Sequence, residues 1–262
     1  MDLIMYNSAN KYFNKFINDN FDINDEKIAH KIKHTYQVVN NAKYICEKLN
    51  LDSLNTDIAM VTALLHDIGR LTQAKEMKTF REDITNYDHA TLGVKLLFEQ
   101  NEIRKFVSNN KYDDIIKKAI ENHSKYILDK TGLNDIELLH CKIIRDADKI
   151  DSYRAKTVDD IYTMANIYSE DIENSKITEK IYNDFMNEKT ILSKDRKTGI
   201  DIWISYIAFL FGLEFKCSYE LIKEKDYVNK LFDRFNYKLE NKKMNILREK
   251  ALRYLNSKIN KK

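Results

Sequence analysis

Three observations predict an all-α protein: the sequence has no proline, only five glycines, and Leu, Ile, Lys and Glu recurring at helical instead of alternating spacing. Its 262 residues are 43% hydrophobic, with 16 Tyr and 12 Phe, enough apolar material for a real core. The net charge of +3 is the small difference between 44 basic and 41 acidic residues, which argues neither for a nucleic-acid partner nor for an anionic membrane. Cys46, Cys141 and Cys217 are odd in number, widely spaced and set among apolar residues, as expected for reduced core thiols of a cytoplasmic protein. The first ten residues lack the basic flank, apolar core and small-residue cleavage site of a signal peptide. The longest uncharged run, Ile202 to Leu213, is too short to cross a bilayer and reads as a buried helix between Asp201 and Glu214.

Taken in order, Lys11 to Asn18 suits a short amphipathic helix, and Asn24-Asp25 offers the cap of a long one reaching about Leu49. Ile32, Thr35, Val38, Val39, Ala42, Ile45, Cys46 and Leu49 mark its inner face, which His34 shares, whereas Lys31 and Lys33 are expected outside. Asn55 or Thr56 is expected to cap the next helix, which runs through Ala63, Leu64 and Leu65 into His66-Asp67, with Gly69 letting the chain turn away. Residues 70–87 are charged and aperiodic, hence a loop. Asp88 then caps a helix carrying His89 and Gly93, Asp113 caps one ending at Asn122-His123, and Asp135 opens an apolar helix leading to Asp146, Asp148 and Asp151, with Asp146 on a different face from Asp148. The last segment, 238–262, has nine basic and two acidic side chains with an apolar residue near every fourth position, the pattern of a solvated amphipathic helix. With no repeat and no Pro/Gly linker, one all-helical domain is expected: a core over about 26–155 and a helical C-terminal extension over about 156–262.

The polar residues that fall on inward faces or at helix ends are His34, His66, Asp67, His89, His123 and Asp148. A single His-Asp pair reads equally well as a helix end. Six such residues from five helices read better as an imidazole and carboxylate set for divalent cations. His30 and His140 stand outside it.

These residues resemble the HD superfamily of metal-dependent phosphohydrolases, named for its adjacent His and Asp. The likeness rests on His34 with Val38 and Ala42, the block His66-Asp67-Ile68-Gly69-Arg70, Asp88-His89-Ala90 with Gly93, Asn122-His123, and Ala147-Asp148-Lys149, over roughly 28–155. It implies a helical HD-domain bundle with His34, His66, Asp67 and Asp148 on one metal and Asp67 bridging to a second held by His89 and His123. His66 and Asp67 then stand at the catalytic centre. Two divalent transition-metal ions are implied, iron or manganese before zinc, cobalt or nickel. The implied chemistry is hydrolysis, by a metal-bridging hydroxide, of a phosphate ester or anhydride in a small molecule of the nucleotide kind. Arg70, Lys125 and Lys149 adjoin the motifs and are the expected substrate-binding cations.

Narrower members of the superfamily can be separated. The cyclic dinucleotide phosphodiesterases carry a Gly-Tyr-Pro motif, which a sequence without proline cannot contain. The alarmone hydrolases have a Glu-Asp pair just after the His-Asp; here Glu82-Asp83 lies farther along. Two alternatives stay open: a mixed-valence di-iron oxygenase like myo-inositol oxygenase, which uses the same six-residue set, and a non-catalytic metal- or nucleotide-binding module.

Overall fold

The computed structural model of the chain describes residues 4–82 and 88–260, and every regular element among them is helical, as the composition predicts. Its contacts divide the chain into two compact units, Met1–Asp151 and Ser152–Lys262.

In the first unit, α1 (Ile4–Asn20) opens where the buried Asp57 carboxylate accepts the N–H groups of Met5 and Tyr6 at 2.9 and 2.6 Å. That cap comes from a neighbouring helix, so α1 outruns the predicted 11–18. Asp25 caps α2 (Glu26–Lys48) by accepting from Lys27 N and Ile28 N, and the helix buries His34 with Thr35, Val38, Val39, Ala42, Ile45 and Cys46. Helix α3 (Ser53–Leu65) is capped by Asp52, which accepts from Asn55 N at 2.8 Å; the expected caps Asn55 and Thr56 lie inside the helix. Every residue from Thr56 to Leu65 is buried, because α3 is the central helix, packed on α1, α2 and α7. The last of these, α7, covers Asp113–Asn122.

The expectation of a loop from residue 70 is corrected by α4 (Ile68–Met77), which starts directly after Asp67 and leaves through Lys78 in left-handed backbone. Residues 83–87 of that expected loop, including Asp83, lie outside the described residues. Gly69 therefore does not turn the chain. A Cβ there would stand 2.2 Å from the His89 carbonyl oxygen and 2.7 Å from Gly93 N, so glycine is what lets α4 meet the backbone of α5 (His89–Val94). Asp88 caps α5 as predicted, accepting from Ala90 N and Thr91 N. A π turn (Lys95–Glu99) and α6 (Ile103–Phe106) lead to α7. Asp113, expected to cap α7, sits in its first turn, ion-paired with Arg104. Helix α8 (Asp135–Val158) begins where predicted.

The second unit comprises α9 (Ile161–Ala165), α10 (Ser169–Glu173), α11 (Glu179–Met186), α12 (Gly199–Ile207), α13 (Lys216–Glu224), α14 (Tyr227–Phe232) and α15 (Asn241–Asn260). Its core gathers around Trp203, whose indole N–H donates to the Tyr237 hydroxyl at 3.0 Å. Met244, Leu247, Ala251 and Leu255 of α15 are buried, while Lys243, Arg248, Lys250 and Arg253 pair with Glu240, Asp233, Glu188 and Glu249. No described helix is long and apolar enough to cross a membrane.

Gly69→Ala is expected to destabilise the protein by about 3 kcal/mol in denaturant unfolding, because the added carbon meets backbone that cannot step aside. Gly93→Ala is the control: its Cβ would have ordinary neighbours at 3.4 Å and beyond, so helix propensity should leave it neutral or more stable by up to about 1 kcal/mol.

Candidate metal centre

His66 and Asp67 occupy the joint between α3 and α4. His66 keeps helical dihedrals as the C-cap of α3, and Asp67, at φ −107° and ψ 19°, breaks the helix before α4 begins. The C-terminal end of α3 thus presents both side chains at the negative pole of a helix dipole. The other four arrive from α2 (His34), the first turn of α5 (His89), the C-terminus of α7 (His123) and the middle of α8 (Asp148).

Asp67 is the hub. Its Oδ2 lies 3.5 Å from His34 Nε2 and 3.6 Å from His66 Nε2, and its Oδ1 lies 3.2 Å from His89 Nε2 and 3.7 Å from His123 Nε2. Asp148 Oδ1 completes the first side, 3.2 Å from His34 Nε2. On the second side the Nε2 atoms of His89 and His123 are 2.9 Å apart. The structure therefore brings all six predicted side chains into one cluster, sorted by the two oxygens of a single carboxylate.

Each imidazole is aimed by what its Nδ1 touches. His66 Nδ1 donates to the Ala63 carbonyl and His123 Nδ1 to the Ile120 carbonyl, both at 2.7 Å and both three residues back along the preceding helix. His34 Nδ1 bonds the Asp151 carboxylate at 2.6 Å, and His89 Nδ1 bonds Glu82. All four Nε2 atoms are thereby left facing Asp67, the orientation that outer partners impose on metal-binding histidines.

The HD domain family model matches residues 32–153, a span that contains the whole six-residue cluster. The chain carries an HD domain. No curated protein and no solved structure matches the chain. The HD superfamily is one of metal-dependent hydrolases, most of them phosphohydrolases, and its domains bind divalent metals.

The residues of this HD domain fit such an ion. The Nε2 atom of His66 is buried and lacks a hydrogen-bond partner, a costly condition that a Lewis acid would relieve. His34, His66 and Asp148 form one group close enough to share an ion, and His66, Asp67 and His123 form another. Burial pushes the pKa of His66 down to about 3, and burial together with Arg70 pushes His89 down to about 4, so both rings keep a lone pair at neutral pH. Burial and the Lys31 charge oppose a proton on His34, but hydrogen bonds to Asp148, Asp151 and Asp67 outweigh them and hold it at about 10. The surroundings of His34 thus call for positive charge. Although burial works the other way, Lys31 and the histidines hold Asp67 well below the usual carboxylate range.

Of the expected substrate-binding cations, Arg70 lies at the cluster, with Nη2 3.2 Å from His89 Nε2 and Nε 3.8 Å from Asp67 Oδ1; Nη1 is anchored on Gln73 and the Phe80 carbonyl. Lys125 is exposed, and Lys149 is buried along α8 with its ammonium on the Arg145 carbonyl. Lys31 corrects the sequence reading: expected to point outward, it reaches Asp67 Oδ2 at 2.5 Å and passes over the Phe80 ring at 5.3 Å. It lies three residues before His34, and a long aliphatic stem brings its charge round the helix. Asp146, expected on another face from Asp148, is fully buried, whereas Asp148 is partly exposed. Glu82 and Asp151 were not assigned a role from sequence; the signal for Asp151 was its place one turn beyond Asp148.

His140 lies outside the cluster as expected, yet it is buried, with Nε2 3.1 Å from the Asn55 side-chain oxygen, and burial lowers its pKa to about 4. Between about pH 6.5 and 4 the unfolded chain takes a proton there that the folded chain refuses, so this residue's contribution to stability falls as pH falls. Relative to His140→Gln, the natural protein should lose about 3 kcal/mol across that window in chemical denaturation at successive pH values.

Proposed function

We propose that this HD-domain protein is a metal-dependent phosphohydrolase acting on a phosphate ester or anhydride of a small molecule of the nucleotide class. The observation that carries the reading is the division of labour at Asp67, one oxygen facing His34 and His66 and the other facing His89 and His123. His34, His66, Asp148 and Asp67 Oδ2 would hold one ion, and His89, His123 and Asp67 Oδ1 a second, with iron or manganese favoured by an N/O donor set without thiolate. A bound pair of such ions supplies water of lowered pKa and charge stabilisation at phosphoryl oxygens.

The chain's own residues do the rest. Asp67 stays ionised at neutral pH and fixes the separation of the two donor sets. The four histidines are held in one ring orientation by their Nδ1 partners, so the rings themselves need not turn when a ligand arrives. Arg70 and Lys31 flank the two oxygens of Asp67 and offer positive charge beside them, which suits an anionic phosphoryl group better than a neutral polyol. Burial of the four imidazoles excludes bulk water from the centre.

Protein purified without oxygen should contain two transition-metal ions per chain by elemental analysis; one or none after reconstitution with Fe²⁺ or Mn²⁺ would end the dinuclear assignment. In an anaerobic screen of phosphorylated metabolites with Mn²⁺ or Fe²⁺, phosphate or nucleotide release is expected. Asp67→Ala should reduce it by more than about 100-fold, since loss of an outer partner of a ligand alone costs about 10- to 100-fold. Substrate-dependent oxygen uptake in air, with no hydrolysis, would identify an oxygenase and overturn the proposal.

A further inference from the structure

Helix α8 carries Arg145, Asp148 and Asp151 at three-residue spacing, so the three side chains lie along one strip of its surface. Asp148 belongs to the cluster itself. Its two neighbours on the strip bond other partners. Asp151, 1% exposed, receives His34 Nδ1 at 2.6 Å. Arg145, 6% exposed, places its Nη1 at 2.7 Å from the Asn122 carbonyl oxygen, 2.6 Å from that of Lys125 and 3.4 Å from that of His123.

Those three carbonyls belong to the turn where α7 ends. The last carbonyls of a helix have no partner within it, and a buried turn left with unsatisfied oxygens would reorganise. A guanidinium among them satisfies the oxygens and places positive charge at the negative helix pole. The residue held in the middle of this turn is His123, whose ring has no side-chain anchor of the kind that Asp151 gives His34: its Nδ1 partner is the Ile120 carbonyl of the same helix end. The direction of the His123 ring therefore depends on the course of the turn.

We propose that Arg145 and Asp151 are positioning residues with separate clients, Asp151 for the metal pocket of His34, His66 and Asp148, and Arg145 for the pocket of His89 and His123. One helix thereby sets the affinity of both pockets from its two flanks. This inference rests on the two-metal reading above. Since Arg145 reaches all three oxygens through a single nitrogen, a lysine at that position should restore much of its effect, whereas an isosteric apolar chain should not. At Asp151 an asparagine keeps an acceptor for Nδ1–H but removes the charge, and alanine removes both.

The test uses Mn²⁺ alone, with free Mn²⁺ followed by electron paramagnetic resonance during titration of the full-length chain. Two single-pocket backgrounds separate the sites: His89→Ala leaves the first pocket and Asp148→Ala leaves the second. In the His89→Ala background, Asp151→Ala should weaken Mn²⁺ binding by about 10- to 100-fold, Asp151→Asn by less, and Arg145→Met hardly at all. In the Asp148→Ala background the order reverses, with Arg145→Met weakening binding by a similar factor and Arg145→Lys restoring most of it. Melting temperatures of the metal-free variants accompany each titration. A role in packing alone would lower them together and move both pockets equally, and that result, or affinities unchanged by either substitution, overturns the proposal. If the unsubstituted chain binds no Mn²⁺, the two-metal reading itself falls, and this inference with it.

Discussion

An ionised carboxylate at 5% exposure needs compensation from every side, and the architecture around Asp67 supplies it. Lys31 and Arg70 approach its two oxygens, four imidazoles surround the remainder, and the residue directly precedes the N-terminus of α4, whose positive pole offsets the negative end of the central helix behind it. None of these partners is local except His66 and Arg70. The rest come from α2, α5 and α7, so the helices of the first unit must keep their relative positions for the charge to remain tolerable. Removing a buried partner from such an arrangement is costly because the remaining charge is stranded.

The second ordering principle is the treatment of Nδ1. Two imidazoles use the carbonyl three residues back, a partner that any helix end provides at no sequence cost. The other two use carboxylates, Asp151 and Glu82, each supplied by a different segment. Tautomers are thus assigned by the fold. With Nδ1 occupied in every ring, the cluster presents four Nε2 atoms to one aspartate, and the donor set is formed before any ligand is bound.

Much of this was legible in the sequence. The helical spacing and the absence of proline gave the fold class, and the inward placement of His34 and the helix-end positions of His66 and His123 followed from periodicity and caps. What was missed has a common physical origin. The run after Arg70 looks like a loop because its charges obscure the period, yet as far as Met77 it is helix α4, packed on α2 and α5. Gly69 looks like a turn residue, since sequence alone cannot tell a glycine needed for backbone freedom from one needed for close approach of another helix. Lys31 looks exposed because its position on the helix faces outward, whereas the ammonium sits at the end of a long stem and reaches the Asp67 carboxylate. Asp151 bonds His34 across 117 positions and Arg145 bonds carbonyls 20 to 23 positions away, pairings that periodicity along one helix does not reveal, and Glu82 lies in the charged aperiodic stretch seven residues before the His89 it bonds.

Exposure is not shared evenly among the six clustered residues. The four histidines and Asp67 are at most 5% exposed, while the side chain of Asp148 is 30% exposed. Solvent thus meets the cluster at a single acidic rim. A charge at such a rim is screened by dissolved salt, and one sealed behind it is screened far less. Ionic strength therefore acts on the threshold and leaves the interior field nearly untouched, so the medium tunes the potential at the rim without altering the field among the imidazoles.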